Sequence, residues 1–104
     1  MTSEEEQMAI GVLFEFPGAT QSQYDDVLKK MTGGGTLRKL ADWPVKGVLM
    51  HLAGPTQTGW RVVDVWESEA ELMKFAGVLM PVLKAAGFPD APPQIFPAHN
   101  FIKT

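Results

Sequence analysis

Two apolar, β-prone runs stand almost back to back in the middle of this chain, and their spacing restricts the fold more than any other feature. K-G-V-L-M-H-L-A at 46–53 and W-R-V-V-D-V-W-E at 60–67 are separated only by G-P-T-Q-T-G. A connection that short joins antiparallel neighbours, so the two runs are expected to form a hairpin. On its N-terminal side, M-A-I-G-V-L-F-E-F at 8–16 ends at Pro17-Gly18 and reads as a strand. Thr20 and Gln23 then make a capping box, and Tyr24, Val27, Leu28 and Met31 recur at helical spacing until Gly33-Gly34-Gly35 stops them. The stretch 36–44, T-L-R-K-L-A-D-W-P, is expected to form a short helical turn closed by Pro44.

Beyond the hairpin, Ser68 and Glu71 read as a second capping box. It opens a helix whose apolar set is Leu72, Phe75, Ala76, Leu79, Met80, Val82 and Leu83, running to about Ala86 with Gly87 as its stop. Pro81 inside it should kink the helix and free a carbonyl. After Pro92-Pro93, residues 94–102 read as a last strand. The order is therefore β-α-β-β-α-β, an α+β chain of ferredoxin-like type: an antiparallel four-stranded sheet with both helices on one face. The strands are nonetheless apolar on both sides. Ile10, Val12, Phe14 and Phe16 oppose Leu13; Val48, Met50 and Leu52 oppose Leu49; Trp60, Val62 and Trp66 oppose Val63 and Val65. A sheet face without helices then needs a cover, and a homodimer packed sheet to sheet supplies it.

Length and composition fit this reading. The 104 residues suffice for one domain, 8–104, preceded by an acidic tail at 1–7 that is expected to be frayed. With no cysteine, disulfides, thiol catalysis and cysteinyl metal sites are excluded, which fits a reducing, cytoplasmic location. The opening M-T-S-E-E-E-Q is not expected to act as a secretory signal, and no apolar run is long enough to span a membrane. A net charge of −3 argues against nucleic acid as a partner. That matters because RNA-recognition motifs share the element order; here Val62 stands where a stacking aromatic belongs.

With these elements in order, the chain resembles the dimeric α+β barrel superfamily, near the antibiotic-biosynthesis-monooxygenase-like proteins. The strand-to-helix junction V-V-D-V-W-E-S-E-A-E-L at 62–72 carries the rest of the likeness, which covers 8–102. H-L-A-G-P-T and F-P-A-H-N are similar to a branch of small bacterial proteins of this fold. The resemblance implies a pocket between sheet and helices in each subunit. The implied activities span cofactor-independent oxygenation of aromatic polyketides, lactone isomerisation and haem degradation. Haem degradation in that superfamily uses a second-helix histidine with an Asn and a Trp. Residues 68–86 contain no histidine, and Trp66 could supply only one of the three, so no haem or other cofactor is expected.

Among the residues themselves, Asp64 is the anomaly. Alternation puts Trp60, Val62, Asp64 and Trp66 on one strand face and Arg61, Val63, Val65 and Glu67 on the other, so Arg61 cannot neutralise Asp64 from within the strand. Burying an unpaired carboxylate costs several kcal/mol, so a partner, water or a ligand must meet it. His51 is the candidate partner. If Gly54 pairs with Gly59, His51 opposes Val62 and lies diagonal to Asp64, roughly 7–8 Å away. A loop with an even number of residues keeps His51 on the Asp64 face; an odd number sends it to the other. Such a pair in a tryptophan-lined cavity is a general base with an orienting carboxylate, and equally a self-satisfied structural pair. Catalytic candidates are thus Asp64 and His51, with Trp60, Trp66, Tyr24 and His99 shaping a site for a hydrophobic or aromatic small molecule. His99 is also read as a strand-edge or interface residue, and Asn100 is a weaker candidate. No metal-ligand spacing occurs, no serine sits in a nucleophile elbow, and G-G-G-T-L-R-K at 33–39 is explained as helix termination rather than a phosphate cradle.

Overall fold

The computed structural model describes residues 9–35 and 37–102. The acidic tail at 1–7 and the expected strand start at Met8 lie outside them. Four strands, β1 (Ile10–Pro17), β2 (Val48–Pro55), β3 (Gly59–Trp66) and β4 (Gln94–Pro97), and two helices, α1 (Gln21–Met31) and α2 (Glu69–Ala85), follow in the expected order. All strand pairs are antiparallel and the sheet order is β2-β3-β1-β4. This α+β arrangement is compatible with a ferredoxin-like fold.

Local chemistry sets the element ends. Thr20 and Gln23 close both bonds of a capping box at the start of α1, and Lys29 and Lys30 fill its last turn, where the helix dipole favours cations. At α2, Ser68 accepts from the Glu71 N–H, while the Glu71 carboxylate faces Lys74 at 3.6 Å instead of returning to the cap. The helix runs from Glu69 to Ala85 through Pro81, which is exposed on its outer side. Of the described residues in the expected turn at 36–44, only Leu40–Asp42 is helical, as a short 3-10 segment in which Asp42 accepts from the Arg38 and Lys39 N–H groups. The last strand is shorter than expected. After the bond from Ala98 N–H to Ala9 the pairing ends, and His99 and Asn100 sit exposed beyond it.

The core lies between the sheet and the helices. Val12, Phe14, Phe16, Trp60, Val62 and Trp66 from the even-numbered face pack with Val27 of α1 and Leu72, Phe75, Leu79 and Leu83 of α2. On the opposite face Arg61 pairs with Glu15 across β1 and β3, as alternation requires. That face keeps exposed apolar groups, with Leu52 at 62% and Phe96 at 53% of full exposure. Phe96 lies across Gly11, where a Cβ would stand 2.4 Å from its ring, so a side chain at this position would have to displace that exposed ring.

Two details of the hairpin differ from the sequence reading. The pairing is shifted, with Pro55 opposite Trp60 and His51 directly opposite Asp64 rather than diagonal to it. The loop left between the paired ends, 56–59, still has an even count, so the faces are preserved. A bulge between Val48 and Met50 changes the alternation of β2. Val48 is therefore buried opposite Trp66, not on the face of Met50 and Leu52.

The turn end of the hairpin depends on Gly59. A Cβ there would lie 2.2 Å from the Phe16 carbonyl oxygen, whereas at Gly54 it would meet nothing within 4 Å. Gly59→Ala should lower unfolding stability by about 2 kcal/mol through forced separation of β1 and β3. Gly54→Ala should stay within about 0.5 kcal/mol. Urea denaturation of the two variants measures the contrast.

Candidate functional site

Strand pairing alone brings the first two polar groups together. Asp64, only 2% exposed, is the sole buried charged residue among the described residues, and β2 sets His51 directly across from it. His51 Nδ1 stands 2.6 Å from Asp64 Oδ1, and the Trp66 indole N–H donates to Oδ2 at 3.2 Å. Both carboxylate oxygens are thus engaged, one across the hairpin and one along the strand. On the far side of the imidazole, Nε2 lies 2.5 Å from the Tyr24 hydroxyl of α1. The helix face that carries Val27 into the core also carries Tyr24, because the two are three residues apart.

The direction of these bonds follows from the groups. An ionised Asp64 can only accept, so His51 donates from Nδ1; in the neutral imidazole Nε2 then carries the lone pair, which accepts the Tyr24 O–H. Burial, followed by the negative charges of Asp64 and Asp25, pushes the Tyr24 hydroxyl from its ordinary 10.0 up to about 12. Tyr24 is therefore protonated at neutral pH and serves as the donor. The result is one chain, Tyr24 O–H to His51 to Asp64, anchored by Trp66.

Aromatic rings enclose it. Trp43, from the loop before β2, packs edge-on to His51 at 4.9 Å, to Phe75 at 5.2 Å and to Trp66 at 6.0 Å. Trp60 lies against Tyr24 at 5.1 Å. Its buried indole N–H finds no hydrogen-bond partner among the described residues. Next to the chain is a cavity of about 40 Å³, measured as the space open to the centre of a water-sized sphere. Phe14, Phe16, Val62, Phe75 and Leu79 line it, with Tyr24, His51 and Asp64 as its polar edge. On that measure a single water needs roughly 10–15 Å³. The cavity therefore admits a few waters or a comparably small molecule.

The sequence candidates separate clearly. Asp64, His51, Tyr24 and Trp66 meet in one bonded chain, and Trp60 supports its tyrosine. His99 is exposed in the bend after β4 and is not among the residues lining the cavity, and Asn100 is exposed beside it. Trp43 is the residue that sequence reasoning missed. It falls in the expected turn at 36–44, and the only signal for it is a large aromatic beside Pro44 in the connection before a strand. Among the described residues no group of three or more His, Cys, Asp or Glu side chains could hold a metal ion, and no helix is long and apolar enough to cross a membrane. No protein-family model, curated protein or solved structure matches the chain.

Two measurements probe the chain. Tyr24 is the only tyrosine, so tyrosinate absorbance reports it alone. Its midpoint should lie near 12 in the folded protein and fall in Asp64→Asn, though not fully to 10.0, because burial is the larger cause. Since the folded value is raised, the unfolded chain loses this proton first. Stability from this group is therefore complete below pH 10.0 and declines as pH rises towards 12. Asp64→Leu leaves two buried N–H donors without an acceptor and should lower stability by about 3 kcal/mol in denaturant titration. Asp64→Asn should lose less, because the amide can donate to His51 and reverse the chain.

Proposed function

We propose that the protein is a homodimeric acid–base enzyme, working without a cofactor on a hydrophobic or aromatic small molecule. The Tyr24–His51–Asp64 chain at the edge of an apolar cavity carries this reading. His51 Nε2 accepts a proton from the substrate, giving up for that step its bond to the Tyr24 hydroxyl that otherwise orients the ring. The imidazolium so formed is balanced by the Asp64 carboxylate, whose second oxygen is held by Trp66. Reversal returns the proton to another atom of the substrate, which is an isomerisation. Alternatively, the carbanion left behind is the species that reacts with dioxygen in cofactor-independent oxygenation. Both activities are among those implied by the resemblance to the dimeric α+β barrel superfamily.

The homodimer is supported by the uncovered sheet face. Leu13, Val63 and Leu52 form one cross-strand row there, and Phe96 and Met50 bracket Gly11 and Val65 in the next. A second copy seated on these rows would bury Leu52 and Phe96. Light scattering should then give twice the single-chain 11.4 kDa, and a Leu52→Glu/Phe96→Glu variant should give a single-chain mass with its fold retained.

One observation favours a second reading, a non-catalytic dimer. Every polar atom of Tyr24, His51 and Asp64 named above is already satisfied within the protein, as a purely structural network would be. Proton exchange separates the two. In D2O, wild-type protein should speed deuterium entry beside the carbonyl of fused-ring aromatic ketones or their carboxylated analogues. His51→Gln and Tyr24→Phe should each slow it about a hundredfold, the usual scale for general acid–base catalysis. Equal rates for wild type and both variants would leave only the structural reading.

A further inference from the structure

The cavity beside Tyr24 is far smaller than the roughly 300–1,000 Å³ of ordinary ligand sites, so the ring of an aromatic substrate does not fit there. A second hollow of about 320 Å³ lies at the β2 edge of the sheet, between that strand and the loop before it. The two spaces share a wall made of His51 and Trp43. On its outer side the cleft is lined by Leu37, Leu40, Leu49 and Met50, and by Arg38 and Lys39. Leu40 is exposed in it although it is a large apolar residue. No acidic side chain lines this cleft among the described residues. The neighbouring Asp42 carboxylate is turned to the backbone N–H groups of Arg38 and Lys39, and these bonds hold it below the usual carboxylate range.

We propose that this outer cleft is the substrate site and that it takes a flat, apolar organic anion. The ring lies against Trp43, Leu37 and Leu40, and the carboxylate faces Arg38 and Lys39. His51, 16% exposed in its side chain, is the contact between the bound molecule and the buried chain. The observations behind this are the size of the cleft, its pair of cations on an otherwise apolar lining, and the shared histidine. Arginine and lysine on an exposed rim select charge more than they add affinity, and their effect fades with salt. The inference names the substrate class for the acid–base reading and rests on it for the chemistry, though not for the binding.

The test is a matched pair of probes, 2-naphthoate and its neutral isostere naphthalene-2-carboxamide, titrated into the intact protein and followed by amide and indole NMR shifts. The expected result is saturable shifts at Leu37, Leu40, Met50 and the Trp43 indole, with naphthoate at least fivefold tighter. An Arg38→Gln/Lys39→Gln variant, altered only at exposed side chains, should bind the two probes alike. Raising the salt should narrow the gap in wild type. Equal binding of both probes by wild type, or a preference unchanged in the double variant, would overturn the proposal. So would shifts at these residues that follow protein concentration without ligand, which would mean a second copy fills the cleft. Selective naphthoate binding without catalysed proton exchange would defeat the acid–base reading and leave the cleft intact. Exchange without selective binding would do the reverse.

Discussion

A carboxylate under two helices is the constraint on which the rest of the site depends. Asp64 sits on the strand face that also carries Trp60, Val62 and Trp66 into the core, so bulk water is kept from it. Its two oxygens are met by the His51 and Trp66 N–H groups, and His51 is met in turn by Tyr24. Each link ties down a different element: the hairpin partner, the same strand and the first helix. The cost of burying the charge is offset only while all three hold their places. Hairpin register, strand pleat and the packing of α1 are thereby coupled to one residue.

Much of this was legible before any coordinates. Capping residues and apolar spacing located both helices, and alternation alone put Asp64 among the tryptophans and Arg61 with Glu15 on the other face. The parity argument for His51 also held, because an even loop keeps the faces whichever pairing is adopted. What parity cannot choose is the register itself. The pair is directly opposed because Pro55, rather than Gly54, is the last paired residue of β2. The bulge that buries Val48 was invisible for a similar reason: K-G-V-L-M-H is apolar on both sides and reads equally well in either phase. Trp43 was hidden by its loop, since a residue outside periodic structure has no pattern to place it.

The same geometry divides the region around His51 into a small inner compartment and a larger open one. Inside, phenylalanines and valine leave a space for a few waters at most, and the polar groups at its edge are all paired. Outside, the loop before β2 supplies both the wall, Trp43, and the two cations on the rim. His51 is thus flanked by aromatic rings on its inner side and, with Trp43, lines the open cleft on its outer side. In the proposed reaction, low dielectric around the chain would strengthen the attraction between imidazolium and carboxylate as a proton arrives.

The central claim is that Asp64 is present to hold His51 in one tautomer and one orientation, with Nε2 aimed at Tyr24. The most direct measurement is the pair of ring-nitrogen NMR shifts of His51 in uniformly 15N-labelled protein at neutral pH. A protonated Nδ1 with a hydrogen-bonded, slowly exchanging proton, and a bare Nε2 that accepts from Tyr24, is the predicted result. In Asp64→Asn the two nitrogens should exchange roles. A wild-type ring protonated on Nε2, or one whose two nitrogens average through rapid motion, would contradict the account.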